Sequence, residues 1–115
     1  MNWNQITSLT ELEEAIKCSE ERPVMFFKHS TRCSISTAAL SKLERKWESE
    51  TEKIVIPYFI DLIRYRQISD AIAQHTSIEH ESPQVIVLHK GKILYQATHN
   101  GILYQELKES LSLEN

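Results

Sequence analysis

The chain has 115 residues, a formal net charge of −3, 41% hydrophobic and 25% charged residues, which fits one globular domain over 1–115 with a single core. An acidic balance without a basic aromatic patch argues against nucleic-acid binding, and no long apolar span or basic leader with an apolar centre points to a membrane or to secretion. Two cysteines without a framework suit a reducing cytoplasm, and two glycines are too few for phosphate-cradling loops.

In chain order, Trp3 to Ile6 predict a short strand. Thr7 to Glu20 predict a helix with Ser8 as N-cap and Glu11 completing a capping box. Leu9, Leu12, Ala15 and Ile16 form its apolar face, and Cys18 points away from them, toward Glu11 and Glu14. Val24 to His29 predict a strand, and the unalternating run Val24 to Phe27 is that of a strand covered on both faces. A helix opens at Cys33 and runs to about Glu50, with Ile35, Ala39, Leu43 and Trp47 recurring every four residues. Ile54 to Ile60 predict a β-branched and aromatic strand in which Pro57 is tolerable if the strand lies near a sheet edge or carries a bulge. Arg64 to His75 read as a helix facing inward through Ile68, Ala71 and Ile72. Val85 to Leu88 and Ile93 to Gln96 flank Lys90-Gly91 as a hairpin, and Leu103, Leu107 and Leu111 mark a last helix. The order is βαβαβαββα, with parallel pairing first and an antiparallel hairpin late.

The chemistry concentrates at Cys33. A sulfur at a helix N-terminus meets unpaired backbone N–H groups and the positive end of the helix dipole, and Arg32 adds a positive charge. Both favour the thiolate. Dithiol exchange requires a second cysteine three residues on; here that position is Ser36, which can hydrogen-bond sulfur but cannot resolve a disulfide. One-cysteine exchange is implied, with Cys18 a surface or boundary residue. The five histidines make no metal-ligand spacing, so no metal site is expected. His29, ending the buried strand, is a candidate for tuning Cys33, His99 belongs with the lead-in to the last helix, and His75 and His89 are assigned to the surface.

This order, with a cysteine at the start of the second helix and His80-Glu81-Ser82-Pro83-Gln84 directly before a strand, resembles the thioredoxin fold, an α/β mixed sheet flanked by helices. The resemblance implies a cis-proline at Pro83, beside the cysteine, preceded by a residue whose backbone meets substrate. The segments HSTRCSIS and IEHESPQ together resemble the monothiol bacilliredoxin family, as do Arg66-Gln67-Ile68-Ser69, Gly91-Lys92 and Thr98-His99. One departure is Ser34, where many relatives carry proline. The family implies a thiol–disulfide oxidoreductase that removes bacillithiol from S-bacillithiolated proteins, with Cys33 attacking the mixed disulfide. Bacillithiol is then a co-substrate with no bound cofactor, and a second bacilliredoxin or a bacillithiol disulfide reductase is a possible regenerating partner. Thr31, Arg32, Ser36, Ser82 and Pro83 are the candidate substrate contacts, and His29, His80 and Glu81 the candidate tuning residues. The alternatives are a non-enzymatic interaction module on the same scaffold, or a thiol peroxidase or arsenate reductase.

Overall fold

The structure, a computed structural model, describes residues 1–114. The elements are β1 (Asn4–Gln5), α1 (Leu9–Cys18), β2 (Val24–His29), α2 (Ser34–Lys46), α3 (Ser49–Ile54), β3 (Ile56–Asp61), α4 (Arg66–Thr76), β4 (Gln84–His89), β5 (Lys92–Thr98), a 3₁₀ turn (His99–Gly101) and α5 (Tyr104–Glu114). The sheet order is β1-β3-β2-β4-β5. β1, β3 and β2 run parallel, whereas β4 is antiparallel to both β2 and β5. This is the expected mixed sheet flanked by helices.

β2 is the central strand, and all six of its residues are buried. Its side chains alternate between two cores. Val24 and Phe26 pack with Leu12 and Ala15 of α1 and Ile68 and Ile72 of α4. Met25 and Phe27 pack on the other face with Leu43 of α2 and Leu107 and Leu111 of α5. The hairpin turn is made by Lys90 and Gly91, both at positive φ (51° and 74°), the handedness that matches strand twist in a two-residue loop.

Several boundaries differ from the sequence expectation. The helix from Cys33 ends at Lys46 rather than near Glu50, and a separate helix, α3, takes up Ser49–Ile54, so the next strand starts at Ile56. Tyr104 of α5 holds this break. Its hydroxyl accepts from the Glu48 N–H (3.2 Å), donates to Glu48 Oε1 (3.1 Å) and pairs with the Thr51 hydroxyl. Pro57 sits on β3, next to the two-residue edge strand β1, so its strand lies near a sheet edge as expected. β1 first pairs at Asn4↔Tyr58, so Pro57 lies one residue beyond its short neighbour and loses no ladder bond there. Leu9, Ile35 and Leu103, each expected on an apolar face, are 46%, 43% and 37% exposed because each stands in or next to a helix's first turn, beyond the sheet. His89, expected at the surface, is the buried last residue of β4.

Candidate active site

Three segments meet at the carboxyl end of β2, the place where open α/β sheets carry their sites. The first is the loop His29 to Cys33. Cys33 is the N-cap of α2, in extended conformation (φ −115°, ψ 117°), and half-buried. Its N–H donates to the Ser30 carbonyl (3.2 Å), and its carbonyl accepts from Thr37 N–H (3.1 Å), so its backbone is fixed on both sides. No side chain caps the helix, which leaves its first-turn N–H groups without a side-chain acceptor. Thr31 and Arg32 are exposed beside it.

Ser36 departs from expectation. It is fully buried and therefore not a surface contact for substrate. Its Oγ accepts from the Ser30 N–H (3.1 Å) and shares a hydrogen bond with His29 Nδ1 (2.7 Å). With one donor and two acceptor sites, the Ser36 hydroxyl serves the Ser30 N–H and His29 Nδ1 together. Burial pushes the His29 imidazole below its ordinary range, opposed by the charges of Asp61 and Glu44. A neutral His29 packed against Phe59 (5.4 Å between ring centres) is the consistent state. Ser36 and His29 thus lock the Cys33 loop onto the end of β2 from beneath.

The second segment is the loop before β4. The Ser82–Pro83 peptide is cis. The β2–β4 register pairs Lys28 with Gln84, so Pro83 follows on opposite His29. Pro83 is buried, Ser82 half-buried and Glu81 exposed. The Ser82 hydroxyl is buried and has no partner among the described residues. His80 shares a hydrogen bond through Nδ1 with the Ser69 hydroxyl of α4 (2.9 Å). Burial first, then the positive charges of Lys28 and Arg66, push its imidazole down, against Asp70 and Glu81. The Gln84 side chain donates to the Glu79 carbonyl (3.0 Å), closing the loop on itself.

Sequence reasoning missed Lys28. This lysine is fully buried within β2, and its Nζ donates to the Ser69 carbonyl (3.1 Å). Burial lowers it to about 8, with Asp70 opposing. The signal was present, a lysine next to the end of a strand read as covered on both faces, but no spacing identifies its partner.

The third segment is the 3₁₀ turn, whose His99 N–H donates to the Pro83 carbonyl (3.0 Å). Cys18 lies elsewhere. It ends α1 at the opposite end of β2, where it is exposed beside the Tyr58 hydroxyl; burial and the neighbouring Cys18 push that phenol up to about 12. A six-residue strand spans about 20 Å, whereas a disulfide needs Cα atoms within about 7 Å. Cys18 and Cys33 do not pair in this fold.

The profile of the monothiol bacilliredoxin family BrxC matches residues 4–107. The chain belongs to that family. A solved thioredoxin-fold structure assigned as an oxidoreductase superposes with a TM-score of 0.77 at 27% identity, covering 94% of this chain and 92% of its own. Thioredoxin from Malassezia sympodialis (TM-score 0.72, 15% identity, 97% of this chain and 90% of that one) and thioredoxin from Fasciola hepatica (0.70, 15%, 97% and 99%) share the fold. This bacilliredoxin-family chain is thus a thioredoxin-fold protein of thiol redox chemistry, with partners drawn from the bacillithiol system. Among the described residues no helix is long and apolar enough to cross a membrane.

Proposed function

We propose that this protein removes bacillithiol from S-bacillithiolated client proteins by one-cysteine exchange at Cys33. The observation that carries the reading is the isolation of Cys33. The position that resolves a disulfide in dithiol enzymes holds a buried serine committed to His29 and Ser30, and the other cysteine stands a strand length away. A thiol so placed can accept a cap but cannot discharge it internally.

In the proposed cycle the Cys33 thiolate attacks the bacillithiol-side sulfur of the mixed disulfide. The bond between bacillithiol and client breaks as the bond between Cys33 and bacillithiol forms, and the client leaves as a thiolate. A second bacillithiol thiolate then attacks the cap sulfur, releasing Cys33 as thiolate and bacillithiol disulfide, which a bacillithiol disulfide reductase returns to thiol; a second bacilliredoxin can take the cap instead. Bacillithiol is a co-substrate, no resident cofactor is required, and the work belongs in the reducing cytoplasm. Exposed Thr31 and Arg32 flank the sulfur on the open side, and half-buried Ser82 precedes Pro83 in the facing loop, where its backbone would meet a bound disulfide.

Intact-mass analysis after mixing with a bacillithiolated client tests this. A single bacillithiol adduct mapping to Cys33 is expected, with transfer abolished in Cys33→Ser and nearly unchanged in Cys18→Ser. Rapid loss of the adduct with appearance of a Cys18–Cys33 disulfide would refute it.

A further inference from the structure

A cavity of about 300 Å³ opens between α2 and the 3₁₀ turn, lined by Ala38, Ala39, Lys42, His99, Asn100 and Ile102. Its floor is small and apolar, with Ile102 buried. Its rim is polar, and among the described residues the side chains of Lys42, His99 and Asn100 take part in no hydrogen bond or ion pair. The volume lies at the small end of ligand sites, about 300–1,000 Å³.

The cavity lies between two of the segments that form the site, α2 and the 3₁₀ turn. Its far wall is tied to the cis-proline loop, since His99 N–H donates to the Pro83 carbonyl (3.0 Å). Its near wall is one face of α2, because Ala38, Ala39 and Lys42 line it and, with the exposed Ile35 two residues after Cys33, follow the i, i+3, i+4, i+7 spacing. At 1.5 Å of rise per residue, Ala38 lies about 7.5 Å and Lys42 about 13.5 Å along the axis from Cys33. Along the helix axis that separation is within the length of a cysteinyl glycoside attached at the Cys33 sulfur.

Charge selects the occupant. The chain carries a net charge of −3, yet the strip has Arg32 at one end and Lys42 at the other, and the first turn of α2 holds no acidic side chain. Bacillithiol is a cysteine joined to a glucosamine–malate glycoside, so beyond its sulfur it presents sugar hydroxyls and two carboxylates. We propose that this cavity binds the glycosyl-malate body of bacillithiol during exchange, with Lys42 facing the carboxylates and His99 and Asn100 the remaining polar groups. The inference rests on the reading that Cys33 accepts bacillithiol, and it makes the protein selective for the cap rather than for the client.

The test uses one client cysteine capped either by bacillithiol or by free cysteine, with the rate of cap transfer to Cys33 followed by intact mass. Both reactions share the nucleophile and the leaving thiolate, so their ratio reports the body of the cap alone. The wild type should transfer bacillithiol faster. Lys42→Glu should cut that preference by roughly fivefold or more, the scale of a partly exposed charge contact reversed in sign, Lys42→Ala should cut it less, and the rate with the cysteine cap should hold. Equal rates for both caps in the wild type, or equal losses on both in Lys42→Glu, would overturn the subsite while leaving debacillithiolation in place; equal losses would show that the cavity receives the client chain. Failure of Cys33 to accept either cap would instead strike the exchange reading itself, and the subsite with it.

Discussion

Ser36→Ala tests how the cysteine loop is held. Ser36 Oγ is fully buried and is the partner of two groups, the Ser30 N–H at 3.1 Å and His29 Nδ1 at 2.7 Å. Alanine removes that oxygen and leaves both without a bond. An orphaned buried polar group costs about 1–3 kcal/mol. Ser30 and His29 keep 8% and 6% exposure, so water recovers little for either. Taking the lower half of that range for each gives a loss of about 2–4 kcal/mol, offset by about 0.5 kcal/mol from the better helix propensity of alanine. The net expectation is about 1.5–3.5 kcal/mol, a large part of the 5–15 kcal/mol typical of a domain but compatible with a folded chain. Urea unfolding should show a lower midpoint at unchanged slope. Exchange at Cys33 should slow only moderately, because the nucleophile stays and only the Ser30 peptide, which accepts from Cys33 N–H, is loosened. A loss under about 0.5 kcal/mol would refute the reasoning, since it would mean that the two groups keep partners without Ser36.

Two further perturbations address the scaffold. Lys28 is held below its ordinary value, at about 8, so as pH rises above that value the native state gives up its proton while the unfolded chain, near 10.5, retains it. Stability should therefore rise with pH across that window. From about pH 7 to about pH 9.5 the wild type should gain about 1–2 kcal/mol relative to Lys28→Met, after allowance for screening; parallel pH profiles of the two proteins would count against a buried ammonium. Gly91 has φ +74°, and a Cβ there would meet no atom within 4 Å, so Gly91→Ala should lose about 1 kcal/mol from backbone conformation alone and Gly91→Asn less. Equal unfolding midpoints for wild type and Gly91→Ala would contradict that.

The strands and the helix phases were legible because each rests on local pattern. Val24 to His29 appears with the expected bounds, since a run without alternation can only be buried on both sides. Ser8 caps α1 as read, although Glu11 answers through the Thr7 N–H and hydroxyl rather than the Ser8 N–H. What failed depends on residues distant in sequence. The break after Lys46 is made by Tyr104, on the last helix, and nothing in the local periodicity registers it. Periodicity also assigns a face without saying how far the covering layer extends, which is why Ile35 and Leu103 joined apolar stripes that stop short of them. At the site, the position of Cys33 was readable from strand, loop and helix, whereas the role of Ser36 was not. Spacing alone puts it near the sulfur; its orientation toward His29 requires the strand end to be in place.

Lys28 and His29 show why one strand end can organise both sides of the site. Consecutive strand residues point to opposite faces, so two adjacent polar residues at the end of a buried strand reach two different helices. His29 faces α2 and, through Ser36, holds the loop that carries Cys33. Lys28 faces α4 and holds the Ser69 carbonyl, while the Ser69 hydroxyl holds His80 at the head of the segment leading to Pro83. Each burial is costly unless the group is paired, and each pairing fixes one segment of the site. The two anchors are separated by a single peptide unit, and β2 itself is clamped between β3 and β4. The spacing between the Cys33 loop and the cis-proline loop is therefore set by the most buried strand of the sheet, not by the loops. In the proposed exchange, a disulfide between them would meet walls that do not have to be ordered on binding, which would lower the entropic cost of aligning three sulfur atoms.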